Sequence, residues 1–291
     1  MGEPFAGTLR PAGALGARQV KTLAAAILVA ATVAGAAHAA KDPVAFVADL
    51  SGNASIEGDG KVRFLSELAP GTRLLVGTNA VVVVTYAMSG TEYTARGPGE
   101  FTVGDTDLKA DRGTLPVKRA VPKLKDPATL SAISRTATAS VRMRTLRPEV
   151  QGTSPLEYPV DTRVANLRPA FRWRGNGPGQ SLEVVDAGGK VVFRGPADSG
   201  AVPATLRLEP GKTYRWTVNG ATGPLGPAQF ATLDAADLAR ARKSTAAGSF
   251  SGRVSHAMLL QELGAGQDAG ALWAQLARER PDLPELAALH P

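Results

Sequence analysis

Two hydrophobic periods divide the chain. Up to Thr232 apolar positions recur at every second residue in short segments, with an interruption between Thr106 and Gln151, and after Thr232 they recur about every 3.6 residues. The densest strand signal is the stretch 70–103, where β-branched and aromatic residues fill two runs separated by Ser89-Gly90. A two-residue hairpin loop there sets Met88 opposite Thr91, Tyr86 opposite Tyr93, Val84 opposite Ala95, Thr85 opposite Thr94 and Ala87 opposite Glu92. One face is then apolar and the other mixed. A slip by one residue would expose Tyr86 and Val84 and carry Thr85 and Glu92 inside, so the pattern predicts which face is buried. Strands are also predicted over 45–50, 54–57, 61–65 and 100–103, punctuated by Ser51-Gly52-Asn53, Gly58-Asp59-Gly60 and Gly97-Pro98-Gly99.

Seven further strands are predicted over 156–160, 170–174, 181–186, 190–194, 204–208, 213–218 and 228–232, which argues for a sandwich. Phe171 and Trp173 alternate with Arg172 and Arg174, and Tyr214, Trp216 and Val218 alternate with Arg215 and Thr217. That parity places the rings in a core; the rival reading of Trp173, Tyr214 and Trp216 is an exposed platform for carbohydrate. Beyond Thr232, Asp234 is placed to cap a helix running to about Lys243. A helix over 255–264 closed by Gly264 follows, then one from 267 stopped before Pro281, and a last short one over 283–289 capped by Asp282. In the third of these, Ala269, Leu272, Trp273, Leu276 and Ala277 form a single apolar stripe. It must dock on the sandwich, on a partner or on another copy, and Leu272, Trp273 and Leu276 are the candidate partner face.

At 291 residues the length suggests about two or three domains. Cysteine is absent, which removes disulfides, thiolate metal sites and a Cys nucleophile. Residues 22–36 are uncharged and apolar, follow Arg10, Arg18 and Lys21, and lead to Ala37-His38-Ala39. These are the three parts of a secretory signal peptide cut between Ala39 and Ala40, with an uncut membrane anchor as the alternative. Loss of residues 1–39 would remove those three basic residues and Glu3, so the formal charge of +7 becomes +5. Between Lys109 and Arg147 ten basic residues face only Asp111 and Asp126. The charge is therefore a local basic segment, with Lys118, Arg119, Lys123 and Lys125 as candidates for an anionic partner such as a membrane surface or acidic glycan, and with a solvated linker or an extra edge strand as the plainer reading. The segment carries no aromatic ring that could stack on a base, which argues against nucleic acid.

The positions Leu68, Pro70, Gly71, Leu74, Gly77, Ala80, Val82, Gly90, Tyr93, Gly97, Pro98, Gly99 and Phe101 together resemble the FecR domain, a periplasmic β-rich module named for a regulator that relays iron-citrate signals to a sigma factor. The runs 168–173 and 208–218 resemble fibronectin type III and related immunoglobulin-like modules, and the end of the chain is similar to one tetratricopeptide-like helical hairpin. The expected architecture is mainly β and multi-domain: signal peptide 1–39, FecR-like β domain 42–106, basic Pro/Ala-rich connector 107–152, fibronectin/Ig-like β-sandwich 153–232 and helical hairpin 233–291.

The chemistry of an enzyme is hard to assemble from this sequence. His256 and His290 are the only histidines after residue 39, and neither lies at metal-ligand spacing from the other. His256 has no G-x-S-x-G elbow to serve, and Gly177-Pro178-Gly179 and Gly223-Pro224-Leu225-Gly226 are turns and not phosphate loops. The expectation is a non-enzymatic periplasmic interaction or signalling scaffold without cofactor, engaging an envelope protein, as the FecR resemblance implies. The alternative is a cell-wall module binding peptidoglycan or another anionic glycan.

Overall fold

The computed structural model describes residues 42–142 (side chains to 137), 155–175, 179–197, 206–221, 223–245 and 248–289. Strands β1 (Ala45–Ser51), β2 (Ala54–Ile56), β3 (Gly60–Lys61), β4 (Glu67–Leu68), β5 (Arg73–Val76), β6 (Val81–Tyr86), β7 (Thr91–Arg96), β8 (Gly99–Val103), β9 (Leu108–Arg112) and β10 (Val117–Ala120) form two five-stranded antiparallel sheets. Their orders are β10-β7-β6-β1-β4 and β3-β2-β5-β8-β9. Val47, Val82, Val84, Tyr86 and Ala95 of the first meet Leu74, Val76, Phe101 and Val103 of the second in one apolar cluster.

The hairpin register differs from the sequence expectation by two residues. Thr85 pairs with Glu92 and Tyr86 with Thr91, so the loop is the four residues 87–90. The Gly90 N–H donates to the Tyr86 carbonyl at 2.9 Å, and Gly90 takes the left-handed φ of +68°. A two-residue shift leaves every side chain on its face, so alternation cannot distinguish the two registers; the loop geometry decides.

Thr85 and Glu92 are also buried, at 1% and 2% exposure, where the pattern placed them on the open face. The reason is a layer of helices over that face. Helix α1 (Pro127–Arg142) supplies Leu130 and Ile133, which cluster with Phe46, Val83 and Ala87 of the sheet. Asp126 starts this helix by accepting from the Ala128 N–H at 2.9 Å and the Thr129 hydroxyl at 3.2 Å, with Pro127 at the first helical position. Residues 139–142 continue this helix, where period-two alternation allowed a strand over 139–143, and Met143 lies outside the described residues. Within the segment expected to be a connector, β9 and β10 add edges to the two sheets.

In the second β region, β11 (Leu156–Tyr158) pairs with β13 (Arg172–Trp173). A five-stranded sheet is ordered β12 (Thr162–Val164), β17 (Gly223–Thr232), β16 (Thr213–Gly220), β14 (Ser181–Asp186), β15 (Val191–Pro196). Its pairs are antiparallel apart from β12 with β17, a strand and a pairing that the sequence pattern did not suggest. Residues 206–208 are not a strand, although Leu206 and Leu208 are buried. Trp173, Tyr214 and Trp216 lie in the core with Phe171 and Phe230, so they offer no carbohydrate platform.

Helix α2 (Ala235–Thr245) begins as expected, with the Asp237 N–H donating to Asp234 Oδ1 at 2.8 Å. Helix α3 (Phe250–Glu262) starts before the predicted 255 because Ser249 caps it, accepting from the Gly252 N–H at 3.1 Å. Gly264, at φ +78°, turns the chain into α4 (Gly266–Glu279), and a 3-10 turn spans Pro284–Ala288. Asp282 does not cap that turn; it pairs with Arg280 at 2.8 Å. Arg280 also reaches Asp49 at 2.5 Å and the Leu50 carbonyl at 2.9 Å, tying the chain end to β1.

The stripe on α4 is not a free partner face. Trp273 and Leu276 are fully buried and Leu272 is partly so, within the cluster that includes α3 and the first sheet. The architecture is mainly β, with several antiparallel sheets and four α-helices among the described residues. No helix among them is long and apolar enough to cross a membrane. The expected cleavage residues Ala37, Ala39 and Ala40 lie outside the described residues.

Candidate ligand cleft between the second β region and the helices

The first turn of α4 fastens the second β region to the helical layer. Asp268 Oδ1 accepts from the Tyr158 hydroxyl at 2.6 Å and Oδ2 from the Ala165 N–H at 2.9 Å. Gln267 accepts from the Val160 N–H and donates to the Glu157 carbonyl, both at 2.9 Å. Arg163 donates its backbone N–H to the Gly264 carbonyl at 3.1 Å. Beside these bonds the two layers leave a cleft of about 400 Å³.

Three chain segments furnish its polar wall. Arg172, on β13, holds its guanidinium 4.6 Å from the centroid of the Tyr158 ring, a cation–π contact that fixes the fork in place. Arg242 comes from the last turn of α2 and His256 from α3. Among the described residues neither arginine pairs with a carboxylate, which sets them apart from Arg119, Arg240, Arg253 and Arg280.

Burial pushes the Tyr158 phenol far up, and the Asp268 carboxylate beside it adds to the shift, so Tyr158 is a neutral donor. Burial moves His256 the other way, below its ordinary value, with the Asp268 charge opposing in part. The Ser244 hydroxyl donates to the Ala241 carbonyl at 2.6 Å and also meets His256 Nδ1. The arrangement that satisfies both Ser244 contacts has the hydroxyl proton on the Ala241 carbonyl and the imidazole proton at Nδ1. Nε2 is then a bare acceptor, and it has no hydrogen bond among the described residues.

Ser244, His256 and Asp268 do not form a hydrolytic relay. The Ser244 hydroxyl lies 2.6 Å from the Ala241 carbonyl oxygen, both Asp268 oxygens already accept hydrogen bonds, and no hydrogen bond joins His256 to Asp268 among the described residues.

The depressed His256 gives a pH dependence of fixed sign. Folding favours the neutral ring, so its stabilisation is complete above the unfolded value of about 6.5 and is lost as pH falls through the folded one. Thermal unfolding of the wild-type chain should therefore lose ground to that of His256→Gln as pH drops from 7.5 to 5. Parallel curves for the two proteins would remove this role for His256.

Of the basic residues picked from the sequence, Arg119 and Lys123 line one hollow with Arg240 and Lys243, whereas Lys118 and Lys125 do not line it. Lys118 and Arg119 are neighbours on β10 and so point to opposite faces. The Lys118 ammonium lies 5.9 Å from the Tyr93 ring centroid, whereas Arg119 is committed to Glu92 at 2.6 Å and to the hydroxyls of Ser249 at 2.5 Å and Ser251 at 3.2 Å. Lys123 lines a hollow with Arg119, Lys243 and Arg240, of which Arg119 is paired with Glu92 and Arg240 with Asp237 and Glu262. Lys125 is exposed and contributes its backbone N–H to Glu262.

Of the cleft residues, Tyr158 and Arg242 belonged to no motif, whereas Arg172 lies in the fibronectin-like run 168–173 and Asp268 in the tetratricopeptide-like hairpin, neither with a binding role attached. Only the period-two alternation, which put Arg172 on the outward parity of its strand, hinted at one of them. No protein-family model, curated protein or solved structure matches this chain.

Proposed function

We propose that the protein is an exported, non-enzymatic scaffold of the cell envelope that holds a partner at the cleft between its second β region and its helical layer. In this reading the first β region is a FecR-like module and the second a fibronectin-like one. The resemblance positions are consistent with a structural role. A Cβ on Gly97 would sit 1.9 Å from the Gly77 carbonyl oxygen, and Leu74, Val82 and Phe101 are core residues.

The observation that carries the proposal is the pair of exposed arginines with no carboxylate partner among the described residues, lining a cleft whose walls are joined by the hydrogen bonds of Gln267 and Asp268. Unpaired guanidiniums in a formed concavity are suited to a ligand that supplies the missing charge.

A photo-crosslinking residue at Arg242 in living cells should give a discrete protein adduct that is lost with Arg172→Gln. The same residue at Arg112, on the far β module, should give none. Identical adducts from both positions, or none from Arg242, would defeat the proposal, as would a mature chain recovered in the cytosol without a start near Ala40. Retention on purified peptidoglycan, abolished by neutralising Lys118, Lys123 and Lys125 in a folded protein, would put the glycan-binding reading in its place.

A further inference from the structure

The chemistry of the cleft narrows what it can hold. Arg172 and Arg242 bring two positive charges, Asp268 one negative charge, and the Nδ1-protonated His256 none, so the lining carries a net charge of +1. A singly charged anion balances it, while a doubly charged phosphate over-fills it next to Asp268. Pro169, Ala170, Ala241, Leu260 and Ala271 add a small aliphatic wall, beside the polar Thr245 and Gln267. His256 Nε2 can accept from a ligand N–H. The side-chain amide of Asn166 can donate, since its Oδ1 is already taken by the Arg168 N–H at 2.9 Å. At about 400 Å³ the space is near the lower end of small-ligand sites, which run from about 300 to 1,000 Å³.

We propose that the cleft binds a carboxylate carried on a small aliphatic group with an adjoining N–H donor, as presented by the C-terminus of a peptide ending in a residue such as alanine. The inference rests on the cleft being the partner site. Arg172 and Arg242 grip the carboxylate, the aliphatic wall accepts the terminal side chain, and His256 Nε2 accepts a hydrogen bond from the amide N–H. Planar guanidinium forks match a carboxylate in two parallel hydrogen bonds, which an amide in its place cannot accept equally.

The test is calorimetric titration of the full mature chain with four probes: acetyl-Ala-Ala with a free carboxylate, the same peptide as its C-terminal amide, propionate and inorganic phosphate. The free-carboxylate peptide should bind about tenfold or more tighter than the amide, and Arg242→Gln and Arg172→Gln should each erase about that advantage. Arg112→Gln should change nothing. Because Arg172 also stacks on Tyr158, unfolding midpoints are compared alongside, and Arg242, on an exposed helical turn, serves as the variant free of that contact.

Peptide well ahead of propionate identifies a peptide terminus, and propionate as good as the peptide identifies a free short acid; both uphold carboxylate recognition. Equal binding of acid and amide, tighter binding of phosphate, or no binding by the folded chain would overturn it. An Arg242 crosslink that persists without carboxylate binding would leave the scaffold standing and sink only the ligand assignment.

Discussion

Trp216→Ala should destabilise the protein by about 3–5 kcal/mol, a large share of the roughly 5–15 kcal/mol that holds a typical domain together. Trp216 is 1% exposed and sits at the centre of the ring cluster, 4.9 Å from Phe171 and 6.4 Å from Trp173 between centroids. Its indole N–H also donates to the Pro159 carbonyl at 2.7 Å, so truncation opens a cavity and strands a buried acceptor together. Trp216→Phe separates the two effects. It keeps an aromatic body but loses the hydrogen bond, and its cost should be nearer 1–3 kcal/mol. Urea unfolding of both variants measures the difference, and a Trp216→Ala midpoint close to wild type would mean that the ring cluster does not hold the second β region.

Arg119→Ala is the second large effect, expected at about 2–3 kcal/mol. Breaking a buried ion pair typically costs about 3–5 kcal/mol because one charge is left unpaired in the interior, and the figure is lowered here for the solvent that reaches Arg119. The Glu92 side chain is 3% exposed and Arg119 is 43% exposed, so the residue removed is the wet one and the residue stranded is the dry one. After truncation the Glu92 carboxylate keeps, among the described residues, only the Thr85 hydroxyl, at 3.4 Å. The contacts from Arg119 to Ser249 and Ser251 at the start of α3 are lost as well.

The Glu92→Met, Arg119→Met double variant should recover most of the loss, since apolar side chains of similar volume often replace a buried pair at little cost. A double-mutant cycle by urea unfolding reads this directly. A double variant as unstable as Arg119→Ala would show that the α3 contacts, and not the pairing of Glu92, carry the effect. The same arithmetic explains why Arg119 is a poor probe of glycan binding: neutralising it disturbs the fold before it disturbs any surface.

Residues 81–85 show how far a pattern reaches. Four consecutive valines and a threonine fit a strand buried on both faces as well as a half-buried one, and reading them by alternation gave one face to solvent. What covers that face comes from α1, α3 and α4, none of which is near it in sequence. Glu92 then reads as an outward residue until Arg119, 27 residues away, is seen to meet it. The apolar stripe on α4 was legible, yet its destination was not: the same period serves a partner, a second copy or the chain's own sheet.

The sequence by itself determined the local features, because these depend on residues a few positions apart: the β-rich character up to Thr232, the inward parity of Trp173, Tyr214 and Trp216, the change of period after Thr232, and the Asp234 cap. The tertiary structure alone decided the hairpin loop, the burial of Glu92 and the cleft. A two-residue register shift keeps every side chain on its face, so only the turn at Gly90 resolves it. Tyr158 and Asp268 are 110 residues apart, and no periodicity can state that they will share a proton. Arg172, Arg242 and His256 come to line one cleft only when the helical layer folds back and sets α2, α3 and the start of α4 against β11 and β13.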